Sequence, residues 1–145
     1  MVRGYFGIGI ENSKREINIG TLWRSAYCLG ASFIFTIGAR YKTQSSDTTK
    51  AQRHIPLHHY TDTDDFLLHI PQDAKLVCIE LTDESEELKW FKHPESAIYL
   101  LGPEDGSISK KLLERADATV QIDSKQCLNV SVAGSIVMFD RQVKD

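Results

Sequence analysis

At 145 residues the chain is long enough for one domain with a real core and too short for two ordinary ones. Hydrophobic residues make up 41% and charged residues 26%, and no apolar run approaches the ~20 residues that span a bilayer, so a globular protein of the cytosol is expected and a membrane-spanning helix is excluded. Seventeen Lys and Arg against 20 Asp and Glu leave a net charge of −3, which excludes a grip on nucleic acid by bulk positive charge and leaves only local contacts.

The N-terminal stretch from Met1 to Ile10 is too short and glycine-rich for a signal peptide, and Tyr5 to Ile10 reads as a strand. Its glycines, Gly4, Gly7 and Gly9, do not match the GxGxxG spacing of a dinucleotide site. Gly20 to Leu29 reads as a helix, with Asn18 close to its N-cap and Arg24 about a turn inside; alone, this is a cap and a surface arginine. Ser32 to Ile37 is a second strand. Ala39 to Pro56 then has no helical or strand period, and holds Arg40, Lys42, Lys50 and Arg53 with Asp47 as its only acid. A long basic segment of this kind is the best candidate for phosphate contact.

Asp62 to Ile70 reads as a helix whose first acids, Asp62 to Asp65, suit the helix dipole. Leu76 to Leu81 is a strand, followed by an acidic turn at Asp83 to Glu87. Ala97 to Leu101 is another strand, and Gly102-Pro103-Glu104-Asp105-Gly106 after it is, by composition, a tight turn. Lys110 to Ala116 and Leu128 to Gln142 read as helices on either side of a strand at Thr119 to Ile122. Such alternation, with strands apolar on both faces, predicts an α/β domain with a mostly parallel sheet flanked by helices.

Cys28, Cys78 and Cys127 are odd in number and far apart, so they read as buried thiols and suggest neither a disulfide framework nor a metal site. No pair among His54, His58, His59, His69 and His93 has the i, i+4 spacing of a helical metal site, and no bound metal is expected. Trp23 and Trp90 read as packing residues.

Cys127-Leu128-Asn129-Val130-Ser131-Val132-Ala133-Gly134 is the most informative stretch. Asn129 and Ser131 open a run otherwise apolar, and a buried amide without partners costs a few kcal/mol, so other groups must satisfy them. The small residues Ser131, Ala133, Gly134 and Ser135 permit close packing of this helix against core or partner.

In order and spacing, Asn18 to Ala26, Leu101 to Gly106 and Ile122 to Ser131 resemble the motifs of the SpoU/TrmH family of RNA ribose 2′-O-methyltransferases, in the SPOUT superfamily. The resemblance runs over nearly the whole chain and implies one SPOUT domain, residues 1–145 with no added RNA-binding domain, closed by a C-terminal trefoil knot. It implies S-adenosyl-L-methionine as cofactor, held around Glu80, Leu81, Gly102, Pro103, Gly106, Ile122, Cys127 and Leu128. Arg24, Asn18, Glu104 and Asn129 would form the catalytic set, with Glu104 orienting Arg24 or Asn18. RNA, tRNA favoured over rRNA, would be the substrate, bound across a homodimer and touched by Arg40, Lys42, Lys50 and Arg53. The chain departs from the family in having Cys127 where Ser is common and Asp123 where Pro is common. Those departures and the acidic balance support one alternative, a non-catalytic RNA-binding or interaction module on the same fold.

Overall fold

A computed structural model describes residues 4–41 and 54–144. Strands β1 (Phe6–Glu11), β2 (Phe33–Ile37), β3 (Leu57–Tyr60), β4 (Lys75–Ile79), β5 (Glu86–Glu87), β6 (Ala97–Leu101) and β7 (Ala118–Gln121) form one sheet in the order β3-β2-β1-β6-β4-β7-β5. Every pairing is parallel. Helices α1 (Glu16–Cys28), α2 (Thr63–His69), α3 (Lys110–Arg115) and α4 (Val130–Val143) cover it, and Leu88–Trp90 is a 3₁₀ turn.

The period of two along the strands divides the core. Phe6, Ile8, Ile10, Val77, Ala97, Tyr99 and Leu101 point to a cluster with Ile19, Leu22, Trp23 and Ala26 of α1 and Val137 and Met138 of α4. Phe35, Ile37, Leu76, Cys78, Ile98 and Leu100 point the other way, to Phe66 of α2 and Leu112 of α3. Because both faces are covered, these strands are apolar along most of their length. The glycines of β1 belong to this packing: a Cβ on Gly9 would come within 2.3 Å of the Phe35 carbonyl oxygen, so only glycine lets the aromatic residues of β2 lie across β1. Gly134 does the same for α4, since a Cβ there would meet Leu22 Cδ1 at 2.6 Å and Leu101 Cδ1 at 2.9 Å. The expectation that small residues bring this helix close to the core holds at that position.

Several expectations need correction. Helix α1 begins four residues before Gly20, with Arg15 at its N-cap, so Asn18 is a buried residue of the first turn and not the cap. No side chain caps α1, and a distant carboxylate holds the residues at its entry instead, as described below. Strands β3 and β5 were not expected; β3 is an edge strand whose His58 and His59 are exposed, and β5 has only two residues, so neither carries an apolar period. Of the three cysteines only Cys78 is buried, and burial first, then Glu11 and Glu80, push its thiol up to about 12. Cys28 ends α1 on its outer face and Cys127 lies in the loop before α4, so both are exposed. Trp23 packs as expected and donates to Ile55 O at 3.1 Å, whereas Trp90 is 74% exposed with Lys89 over its ring.

Strand β7 lies between β4 and β5, so the short link from β4 to β5 has to cross beyond the end of β7. The chain after β5 is then held by α4 through a polar cluster at the opposite sheet edge. Arg141, 3% exposed, donates to Pro94 O at 2.6 Å, Glu95 O at 2.7 Å and Tyr99 Oη at 3.1 Å, and lies 5.1 Å from the Phe6 ring centroid. His93 sits between Tyr99 Oη at 2.6 Å and Asp140 Oδ2 at 2.7 Å, and Lys144 reaches both Asp140 and Phe91 O.

Candidate active site

In a parallel sheet all strands end at the same edge, where open α/β sheets bind ligands. The loops after β1, β6, β4 and β7 meet there, because these strands stand side by side in the order β1-β6-β4-β7. That adjacency brings three sequence-distant motifs together. Glu104, from the loop after β6, accepts from Lys14 N at 3.0 Å, Arg15 N at 2.8 Å and Asn18 Nδ2 at 2.8 Å. It therefore fixes from across the fold the two residues through which the chain enters α1, taking the N–H groups of Lys14 and of the N-cap residue Arg15. Burial alone would raise the Glu104 carboxyl, but these donors outweigh it and hold it below the usual carboxylate range.

The Asn18 amide continues the network. Its Oδ1 accepts from Asn129 Nδ2 at 3.2 Å, and Asn129 is the N-cap of α4. Asn129 Oδ1 in turn accepts from Ser131 N at 2.9 Å and Ser131 Oγ at 2.6 Å. The polar residues that open the last helix thus find their partners in a line running Glu104, Asn18, Asn129, Ser131. Ser13, fully buried, adds its hydroxyl at 3.4 Å from Glu104. Nothing in the pattern around Ser13 distinguishes it as a site residue; only the tertiary placement of Glu104 does.

Arg24 is not part of this line. It comes six residues after Asn18, about 240° around the helix and roughly 9 Å along it, so it stands on the outer face of α1 with Ile17, Gly20 and Thr21. Among the described residues it has no hydrogen bond or ion pair. Glu104 is bonded to Asn18 and makes no bond to Arg24.

The residues named for the cofactor gather at the ends of β6, β4 and β7. Leu81 is 76% and Leu128 36% exposed, while Ile122, the residue directly after β7, is partly buried against the core. Gly102 lies so close under the next segment that a Cβ would come within 3.0 Å of Ile108 N. Pro103 and Gly106 close the turn through Gly106 N to Pro103 O at 3.5 Å. Cys127 is exposed in the loop before α4. Glu80 differs: its carboxylate accepts from Ile108 N at 3.1 Å and so braces the loop from behind. Glu11 acts likewise, accepting from Ser109 N at 2.7 Å.

Of the basic segment, Lys42, Lys50 and Arg53 lie outside the described residues. Arg40 is described, and its guanidinium is engaged by Asp105. Among the described residues no group of three His, Cys, Asp or Glu could hold a metal ion, and no helix is long and apolar enough to cross a membrane.

Residues 6–139 match the sequence profile of the SpoU rRNA Methylase family. The tRNA (guanosine(18)-2′-O)-methyltransferase of Escherichia coli strain K12 is 22% identical over 92% of this chain and 61% of its own length. The chain therefore spans about three fifths of that relative. An AdoMet-bound rRNA methyltransferase from Sinorhizobium meliloti superposes with a TM-score of 0.82 at 21% identity, covering 98% of this chain and 57% of that one. A structure concerned with 2-OH methylation of C/U34 on tRNA superposes at 0.81 with 20% identity, covering 96% of this chain and 95% of that one. The parallel sheet with helices on both faces is the fold of these proteins.

Proposed function

The chain belongs to the SpoU rRNA Methylase family, and from that premise we propose that it binds S-adenosylmethionine and transfers the methyl group to a ribose 2′-hydroxyl in RNA, with tRNA the favoured substrate. The observation that carries this reading is the continuous line of hydrogen bonds from Glu104 through Asn18 to Asn129, which unites three motifs beside the ends of β6, β4 and β7. The tRNA preference draws on the relatives named for tRNA methylation.

The residues present suit a nucleoside cofactor. Leu81, Leu128 and Ile122 offer apolar surface for a purine, and the turn at Gly102 to Gly106 presents backbone groups where a side chain would crowd. When bound, a sulfonium supplies an already activated methyl donor, so the protein has to align the acceptor and stabilise charge on its oxygen. A guanidinium keeps its proton below a pH of ~12, so Arg24 holds the hydroxyl or a neighbouring phosphate more readily than it removes a proton. Asn18, Glu104 and Asn129 keep the loop after β1, the turn after β6 and the start of α4 in register. Lys42, Lys50 and Arg53 supply local positive charge for RNA.

The active form is a homodimer. Val132, Ile136, Phe139 and Val143 are exposed on α4 at spacings of four, three and four, which places an apolar stripe along one side of the helix. Ile17 on α1 is 73% exposed and precedes Arg24 by two turns on the same side. A partner covering these faces would bring RNA, Arg24 and the pocket of the other subunit together. A C-terminal trefoil knot, formed where the last helix passes the link between β4 and β5, completes the reading.

Calorimetry tests it: the wild type binds S-adenosylmethionine, and Arg24→Ala retains that binding while methyl transfer to unmodified tRNA falls at least a hundredfold. Undiminished transfer would remove Arg24 from the mechanism. RNA retention on filters with no cofactor binding would leave the non-catalytic module instead.

A further inference from the structure

Three loops at the ligand edge of the sheet are fastened together by one side chain. After β2, Gly38 adopts φ +60 and turns the chain toward the loop that follows β1, where Arg40 N donates to Ser13 O at 2.9 Å. The Arg40 guanidinium then spans the remaining gap. Its Nε donates to Asn12 O at 3.1 Å, while Nη1 and Nη2 donate to the two carboxylate oxygens of Asp105 at 3.0 and 2.5 Å. Asn12 itself sits at φ +57, a conformation uncommon outside glycine, with its N–H on Ile37 O at 2.6 Å, so the carbonyl that Arg40 holds belongs to a sharply turned residue.

Three of the five N–H groups of Arg40 are thereby used, among them the pair that would otherwise fork a phosphate. Asp105 adjoins Glu104, whose carboxylate is already fixed to Lys14, Arg15 and Asn18. The two acids pull on the same turn from adjacent positions. With Glu104 alone, the turn from Gly102 to Gly106 could pivot about one point; with Asp105 held as well, its orientation is set. Both groups show the pairing in their protonation: the hydrogen bond between them raises the Arg40 guanidinium and lowers the Asp105 carboxyl.

We propose that Arg40 is a positioning residue for the cofactor, clasping the turn at Gly102 to Gly106 against the loop before α1, and not a phosphate contact. This rests on the functional reading above. It also separates Arg40 from Lys42, Lys50 and Arg53, with which composition groups it.

The test uses Arg40→Ala, Asp105→Ala and the double variant of the full chain. Each single variant raises the KM for S-adenosylmethionine roughly fivefold while kcat on unmodified tRNA stays within about twofold, because the clasp shapes the cofactor site and touches no reacting atom. The double variant is no worse than either single one, since both remove the same contact. Arg40→Lys recovers only part of the affinity, as an ammonium cannot fork the carboxylate. The dependence of RNA binding on salt keeps its slope. If Arg40→Ala instead lowers that slope by roughly 0.7 to 0.9, the loss of one phosphate contact, and leaves the KM for the cofactor unchanged, the proposal is overturned. If the wild type neither binds S-adenosylmethionine nor methylates RNA, it is the functional reading that fails. The clasp is then read by hydrogen exchange at the amide of Gly106, faster to the same degree in both single variants if it exists and unaltered if it does not.

Discussion

Asn18→Ala is the most direct probe of the site. The side chain is 5% exposed and holds two partners, the Glu104 carboxylate at 2.8 Å and the Asn129 amide at 3.2 Å. A hydrogen bond to a charged group contributes about 1.5 to 3 kcal/mol and a neutral one about 1, and a lost partner in a buried setting cannot be replaced freely by water. Glu104 keeps its backbone donors at Lys14 and Arg15, which limits the damage on that side. Asn129 keeps its capping role through Oδ1 but loses the acceptor for Nδ2. The expected loss is therefore about 2 to 3 kcal/mol, or roughly 5 to 10 °C in the melting midpoint for a domain of this size. Denaturant unfolding of Asn18→Ala, Glu104→Gln and the double variant measures it, and the cycle should return a coupling of about 1 to 2 kcal/mol between the two positions. A destabilisation below about 0.5 kcal/mol, or a coupling indistinguishable from zero, would mean that the three motifs are adjacent without being joined, and would refute the reasoning.

His93 gives a pH signature. Burial outweighs the help of Asp140 and lowers its basicity, which agrees with a neutral ring that accepts from Tyr99 and donates to Asp140, while Lys144 and Arg141 oppose a further positive charge. Because the folded value lies below the unfolded one, near 6.5, the unfolded chain binds more protons in between. Stability is then full above that pH and falls as pH drops through the folded value, by up to ~1.4 kcal/mol per pH unit for this one group. His59 is lowered by burial too, so His93→Gln should reduce the slope of unfolding free energy against pH without removing it; an unchanged slope would exclude His93 as a source. On the surface, Ile136→Glu with Phe139→Glu should convert a dimer to a folded monomer in sedimentation velocity, as both side chains are exposed in the single subunit. A wild type that is monomeric at micromolar concentration would sink the shared-site picture.

Most of the element order was legible because strands covered on both faces are written as apolar runs, and the sequence marks them at Tyr5 to Ile10, Ala97 to Leu101 and elsewhere within a residue or two of their bounds. Strands β3 and β5, with no apolar period, were missed, and two long-range features could not be read either. One was the start of α1, for the carboxylate that holds its entry stands 86 residues from Asn18 and leaves no trace beside Arg15. The other was the pairing of Arg40 with Asp105, 65 residues apart, which removes from the basic segment a charge that composition assigns to it. Asn129 was the reverse case: an amide in an apolar run had to have partners, and the fold supplies them at Asn18 and Ser131. Buried polar residues betray a site in sequence when their surroundings are apolar, but not when, like Ser13, they sit among other polar residues.

The last helix links these observations mechanically. Its first turn is fixed at the ligand edge through Asn129, and its last turn, about 20 Å away, is fixed at the opposite edge through Asp140, Arg141 and Lys144. The chain it grips there, Leu88 to Glu95, is the continuation of the segment that carries Glu80 and Leu81 past the end of β7. A displacement of that segment is thus resisted at both ends of α4 and transmitted to Asn129, and through it to Asn18 and Glu104. Arg141 is buried with carbonyl oxygens and a phenol as its partners and no carboxylate, an arrangement with no surplus for stability alone, since well-packed apolar side chains can serve as well. What the polar contacts add is direction: they accept only one position of α4 along its axis, and one position of Asn129 against Asn18 follows from it.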